Sequence, residues 1–357
     1  MQLEITEAMN DLYNFKFEKA EQQFYWFKQK YKWHPLPYFL SGLNVWWKIM
    51  PDPNIKTYHS AFIACMDSSI AVATALYERN KEYHLEATFF LAAANGFKSR
   101  LYADNNEWAL ATITGKRALN YLTECKESNY LTPEILFGVG LYNYFAVWIP
   151  ENYRSLRPLM WFFPKGDKAL GLKQLREVSY NSFYTRTEAM VWLMRIYDNF
   201  ENDNKKAQEV SKYLYETFPD NSYFQYYYAR VLYSAGNYTE TANISNVILS
   251  RIDSGKVGYG PTCGRYASYF LAFNSEINHN QVEAKKYHEL SVRYTRLAND
   301  TDSGFYQSSL LTLAEMEIRE KNKDKAREYL LEVKKLTKRK DGANQTATKL
   351  LKELGKR

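Results

Sequence analysis

Along the chain, apolar residues recur at intervals of three and four. Phe17, Ala20, Phe24, Phe27 and Tyr31 show the pattern plainly. It is the periodicity of a helix that buries one face. Strand-like alternation is not sustained over any long window. Breaks at Pro35, Pro51-Asp52-Pro53, Asp104-Asn105-Asn106, Pro164-Lys165-Gly166, Pro219-Asp220-Asn221 and Ser234-Ala235-Gly236-Asn237 punctuate the pattern. They leave segments of roughly 12–24 residues. Start signals agree with these breaks. Thr132-Pro133-Glu134 sets a capping hydroxyl, a first-turn proline and an acid in order, and Asp167 is placed to cap a helix opening at Lys168. The pattern predicts an all-α chain of about fourteen to sixteen helices.

A second pattern overlies the first. Small residues stand twelve apart in Ala8/Ala20, Ala229/Thr241, Ala272/Ala284 and Ala314/Ala326. Antiparallel helices approach closely only where side chains are small, with bulky neighbours filling the flanking grooves. In the stretch Glu188–Asn221, Ala207, Leu214 and Pro219 keep this grammar, while Arg195 stands where a small residue is expected and predicts a wider crossing. The second small residues from Ala207 onward are 34, 43 and 42 residues apart. The grammar resembles the tetratricopeptide (TPR) repeat, a helix pair of ~34 residues. The resemblance covers at least five units and roughly two thirds of the chain. It implies a right-handed superhelical solenoid of antiparallel helix pairs. The expected organisation is one continuous solenoid over 1–357, with a divergent half at 1–180, more regular units at 181–340 and a basic C-terminal helix at 341–357.

The middle of the chain is similar to a narrower group. Phe137-Gly138-Val139-Gly140-Leu141-Tyr142-Asn143-Tyr144 leads to Pro150, followed by Leu159-Met160-Trp161-Phe162-Phe163 and then Lys165-Gly166-Asp167-Lys168-Ala169-Leu170-Gly171. Over about 78–224 this resembles the tetratricopeptide-repeat-39 / inclusion-body-clearance family and its bacterial relatives. The resemblance implies a scaffold without known catalysis and carries over no binding residue. Physically, a helical glycine costs ~1 kcal/mol against alanine, so Gly138 and Gly140 predict a neighbouring backbone that comes close.

Composition narrows the function classes. With 46% hydrophobic and 24% charged residues the chain has ample core and is neither disordered nor collagen-like. The net charge of +7 is concentrated at the end, where Leu331–Arg357 holds nine basic and three acidic residues. A solvated terminal helix accounts for it, and no nucleic acid is expected as partner. Cys65, Cys125 and Cys263 lie far apart and form no disulfide framework. The longest apolar run, Leu136–Pro150, is interrupted by Asn143 and too short to span ~30 Å of hydrocarbon. The acidic start, Met1 to Glu7, does not read as a leader. Cytoplasm is the expected compartment, with the periplasm or export as the alternative if a signal peptide has been trimmed.

No catalytic constellation emerges, and neither metal nor cofactor is expected. The five histidines form no His-Glu-x-x-His and no pair at i, i+4. There is no Gly-x-Ser-x-Gly elbow, and Gly166–Lys173 lacks the Gly-Lys-Ser/Thr of a phosphate loop. Aromatic residues, 17% of the chain, are the more useful signal. The first helices of a TPR array line its concave face. Mapped onto this sequence, that face carries Trp192, Ile196, Tyr223, Tyr226, Arg230, Tyr233, Tyr269 and Phe273. Tyr, Trp and Arg are enriched at binding hot spots; the alternative is that these residues pack against the next helix pair. The segment Ile149–Pro164 is a second candidate, either a plug inside the superhelix or a sticky surface. The expected function is a non-catalytic scaffold binding an unidentified peptide or protein segment on its concave face. Two alternatives stand beside it: a membrane-peripheral adaptor using the basic C-terminus and residues 159–163, and an enzyme whose site is assembled within the curl.

Overall fold

A computed structural model describes residues 2–127, 132–161, 163–301 and 303–356. Phe162 and Arg357, both part of the adaptor alternative, lie outside the described residues. Among the described residues the chain is all-α. It clusters into two compact units, Met1–Asp220 and Asn221–Arg357.

The first unit holds α1 (Gln2–Tyr13), α2 (Phe17–Lys30), α3 (Leu36–Ile49), α4 (His59–Arg79), α5 (His84–Asp104), α6 (Trp108–Glu127), α7 (Pro133–Asn152), the single turn α8 (Arg157–Met160), α9 (Lys168–Asn181), α10 (Arg186–Asn199) and α11 (Asn204–Thr217). The second holds α12 (Ser222–Ser234), α13 (Tyr238–Asp253), α14 (Pro261–Ile277), α15 (Gln281–Leu297), α16 (Gly304–Arg319), α17 (Lys323–Leu336) and α18 (Gly342–Lys356). These eighteen helices exceed the sequence expectation because several turns are only three or four residues long and carry neither Gly nor Pro, as between α1 and α2. Residue 180, where the sequence changes character, falls inside α9.

Within each unit consecutive helices pack as TPR-like pairs. The first (A) helices α1, α3, α5 and α7 also touch in series, as do α12, α14, α16 and the terminal α18. The small residues spaced by twelve sit at the crossings. Ala8, Ala20, Ala229, Ala272, Ala284, Ala314 and Ala326 are wholly buried, and the Thr241 hydroxyl donates to the Ala229 carbonyl at 3.5 Å. The α18 residues Ala347 and Leu354 close the second unit's core against Leu330 and Val333.

A repeated turn links A to B helices. A residue in the left-handed region ends the A helix, and the next residue caps the B helix. The left-handed residues are Asn202, Gly236, His279 and Lys321, with φ of 51°, 79°, 58° and 64°. The caps are Asp203, Asn237, Asn280 and Asn322, whose side chains accept from backbone N–H groups three residues on.

The predicted caps are present. Thr132 accepts from the Ile135 N–H and Asp167 from the Leu170 N–H at 3.0 Å. The helical glycines mark a close crossing of α7 and α9. A Cβ on Gly171 would stand 2.7 Å from both the Gly140 carbonyl oxygen and the Tyr144 nitrogen. A second stretch passes a looser test. The run Lys56–Arg79 is long and apolar enough, by length and composition only, to cross a membrane. Many small alanines keep its average high although Asp67 and three serines interrupt the apolar letters. In this unit it packs on α3 and α5 through the stripe Phe62, Met66, Ser69, Ala73 and Leu76.

Candidate functional site

The A helices of the second unit form a connected aromatic face. Tyr226 on α12 stacks on Tyr266 of α14, with centroids 5.0 Å apart and planes at 4°. Tyr266 meets Phe305 of α16 edge-on at 5.7 Å. Tyr233 lies 5.9 Å from Tyr269 and 5.2 Å from Phe273. Tyr223 packs edge-on to Tyr226 at 5.3 Å. Of the residues singled out from the sequence, Tyr223, Tyr226 and Tyr269 are buried, while Arg230, Tyr233 and Phe273 are half-buried. The Arg230 guanidinium sits 4.3 Å from the Tyr227 ring centroid. Burial, helped by the neighbouring Tyr223 and Tyr266, pushes the Tyr226 hydroxyl well above its usual pKa. Tyr233 is likewise raised, first by burial and then by its hydrogen bond with Tyr269. These phenols therefore stay neutral at physiological pH.

Three members of this face were not singled out from the sequence. Tyr266 and Phe305 are half-buried. Tyr266 sits one turn before Tyr269 in the same helical register, so its signal was present. Arg265 is buried, pairs with Asp300 at 2.5 Å and lies 4.6 Å from the Tyr266 centroid. Its Nε and Nη1 have no hydrogen-bond partner among the described residues.

Trp192 belongs to the first unit. Its indole is flanked by the Arg100 and Arg195 guanidinium groups at 4.6 and 4.9 Å and meets Phe145 edge-on at 5.1 Å. Ile196 is fully buried. Trp192 lines a half-open cavity of about 390 Å³ between α3, α5, α6, α7 and α10. Its wall is largely apolar, with Leu40, Phe90, Phe97, Leu122 and Leu141 among the contributors. No sequence signal pointed to it beyond the excess of apolar residues on α3, α5 and α7, because the enclosing helices are far apart in the chain.

Of the polar groups on that wall, several are already committed. The Glu134 carboxylate accepts from the backbone N–H groups of Phe183, Tyr184 and Thr185 at 2.6, 3.2 and 3.1 Å and from the Thr185 hydroxyl at 2.8 Å. The sequence gives Glu134 to the first turn of α7; the fold gives its carboxylate to the start of α10, where exposed amides attract it more strongly. Ser99 donates to the Ala111 carbonyl. Glu188 differs. It is 3% exposed, and its Oε1 accepts from the Trp47 indole N–H at 2.8 Å and the Tyr13 hydroxyl at 3.3 Å. Its Oε2 has no hydrogen-bond partner among the described residues. Burial raises the Glu188 pKa, against the opposing pull of the Trp47 hydrogen bond and the Arg100 charge.

His34 bonds to Glu86 at 3.1 Å, and His288 bridges Glu276 and Ser309 at 3.1 Å each. Burial pushes the Cys125 thiol up to about 12 and also raises Cys65. Among the described residues no group of three or more His, Cys, Asp or Glu side chains is placed to hold a metal ion.

No protein-family model matches the chain, and no curated protein matches it. Solved structures do. The crystal structure of yeast Tom70 aligns at 13% identity with a TM-score of 0.44, covering 90% of this chain, and the chain spans 64% of the Tom70 chain. The crystal structure of the P58(IPK) TPR domain aligns at 14% identity with a TM-score of 0.27, covering 99% of each chain. The helix pairing and the buried small residues at its crossings, rather than these likenesses, define the fold.

Proposed function

We propose that the chain is a non-catalytic interaction scaffold that takes a peptide or protein segment on the concave face lined by the A helices of its second unit. One observation carries the reading. Four half-buried rings, Tyr233, Tyr266, Phe273 and Phe305, come from three successive A helices and touch one another as one patch beside Arg230. Aromatic rings lose little side-chain entropy on binding and, with arginine, dominate hot spots. The resemblance of residues 78–224 to the tetratricopeptide-repeat-39 / inclusion-body-clearance family points the same way. The test places a photo-crosslinking amino acid at position 266 or 305, and at Val282 on α15, which is 82% exposed, as the off-face control. Adducts with a defined partner should form at 266 and 305 and not at 282. They should disappear in the double variant Tyr233→Ala, Arg230→Glu. Equal adducts at all three positions, or full partner retention by the double variant, would sink the assignment.

A second reading is favoured by Trp161, which is 93% exposed on the first unit. An exposed indole suits the headgroup level of a membrane surface. Flotation with anionic liposomes tests it; a Trp161→Ala variant that floats as well as the parent rejects the reading.

A further inference from the structure

We propose that the half-open cavity of the first unit is a binding site for one uncharged hydrophobic molecule of roughly fifteen carbons. Size comes first. An apolar cavity of ~150 Å³ holds a benzene ring. The cavity here is about 390 Å³, which by the same measure takes roughly fifteen carbons. It also falls within the ~300–1,000 Å³ of small-molecule sites. A single aromatic side chain inserted by a partner is the size of that benzene ring and would leave more than half of the space unfilled. The wall supplies the second argument. Leu36, Leu40, Phe90 and Ile135 line it and are themselves buried, so the cavity reaches the core of the unit.

The polar groups decide the charge of the guest. Three charged residues line the cavity, Arg100, Glu134 and Glu188, and each is engaged within the chain. Arg100 lies between two indoles, its Cζ 4.6 Å from the ring centroids of both Trp46 and Trp192. It also contacts Met50 Sδ at 3.6 Å and the Asp104 carboxylate at 3.8 Å. Glu134 is taken up by the three amides that open α10 and by the Thr185 hydroxyl. Glu188 gives one oxygen to Trp47 and Tyr13, and its other oxygen is buried out of a guest's reach. The Ser99 hydroxyl is spent on the Ala111 carbonyl. A charged guest of either sign would lose hydration here and find no free counter-charge. An extended peptide would bring amides that need partners. A hydrocarbon body gives up no hydrogen bond on entering and gains by leaving water.

The cavity belongs to the first unit and the aromatic face to the second, so each reading can fail alone. The test titrates the full chain with 1-octanol, 1-decanol and 1-dodecanol. Laurate and dodecylamine serve as the anion and cation of matched length, all below the concentrations at which they aggregate. Binding is read by calorimetry and by tryptophan fluorescence, since Trp192 lines the cavity. Affinity should rise about fourfold per added methylene, with a stoichiometry of one. Both charged probes should bind at least tenfold more weakly than dodecanol. Gly96 lines the cavity, and a Cβ there meets only the Ala118 Cβ at 4.0 Å. Gly96→Leu should therefore fill the space and weaken dodecanol at least tenfold, while Gly96→Ala stays within threefold. If Gly96→Leu fails to fold, Ala93→Leu on the same wall serves in its place, and the ranking of the probes needs no variant. No saturable dodecanol binding, laurate or dodecylamine binding as tightly as the alcohol, or dodecanol affinity unchanged by the filling variant would overturn the proposal. So would an amphipathic leucine–lysine helical peptide that binds more tightly than dodecanol and is blocked by the same variant.

Discussion

Replacing Gly171 with alanine isolates the crossing of α7 and α9. The new Cβ would meet the Gly140 carbonyl oxygen and the Tyr144 nitrogen at 2.7 Å and the Tyr144 Cα at 3.1 Å. Optimal heavy-atom separation is ~3.5–4.0 Å, so the two backbones must part by about 0.8 Å. These are main-chain atoms, and no rotamer change relieves the clash. Overpacking of this kind costs ~1–3 kcal/mol, offset by ~1 kcal/mol from removing a helical glycine. The net loss is up to about 2 kcal/mol. Gly96 on α5 provides the control, since a Cβ there has only Ala118 Cβ at 4.0 Å, an ordinary contact. Gly96→Ala should therefore gain up to ~1 kcal/mol. Urea unfolding followed by tryptophan fluorescence reads the first unit alone, because all eight tryptophans lie in it. The midpoints should move in opposite directions. Shifts of the same sign for both variants would refute the close-approach reasoning.

Other outcomes follow from the turns and buried charges. A non-glycine residue in the left-handed region costs ~1–2 kcal/mol, partly offset by glycine's greater unfolded freedom. His279→Gly and Lys321→Gly should each stabilise the second unit by about 0.5 kcal/mol, while Gly236→Ala should lose about 1 kcal/mol; circular dichroism melts check both. Burial alone would raise the pKa of Glu317, but Lys285 at 3.0 Å and Lys325 at 3.2 Å outweigh it and hold the carboxyl below its ordinary value. Its contribution is thus present above the unfolded carboxyl pKa and is lost as pH falls through the folded one. Glu317→Gln should cost about 1–2 kcal/mol at neutral pH, reduced by the partial exposure of Lys325, and little in acid. Glu188 carries the opposite sign. It is raised by burial, faces Tyr13, Trp47, Arg100 and Arg195, and contributes most below the unfolded carboxyl pKa, losing that contribution as pH rises through the folded one. Denaturant midpoints of the first unit at acid and neutral pH should converge in Glu188→Gln. The buried thiols Cys125 and Cys263 should resist a thiol reagent in the native state and react once urea is added.

The amino-acid sequence alone determined what depends on neighbours along the chain. The three-four spacing of Phe17 to Phe27 made helices, Thr132 and Asp167 capped them, and the alanines twelve apart set the pair crossings. The helical glycines announced a close approach, and the structure supplied its partner. Such features need only a turn or two of context. Tertiary structure decided the rest. Glu188 looks in the sequence like an ordinary first-turn acid; it becomes a buried, half-partnered carboxylate because Tyr13 and Trp47, separated from it by 175 and 141 residues, are folded onto it. Glu134 left its own helix for amides some fifty residues away. The left-handed turn residues Asn202, Gly236, His279 and Lys321 share a backbone conformation but no side chain, so the repeat they form is legible in φ and hidden in the letters. Whether an aromatic residue faces a partner, a cavity or its own core depends on which distant helices converge on it, and periodicity along one helix holds no record of that convergence.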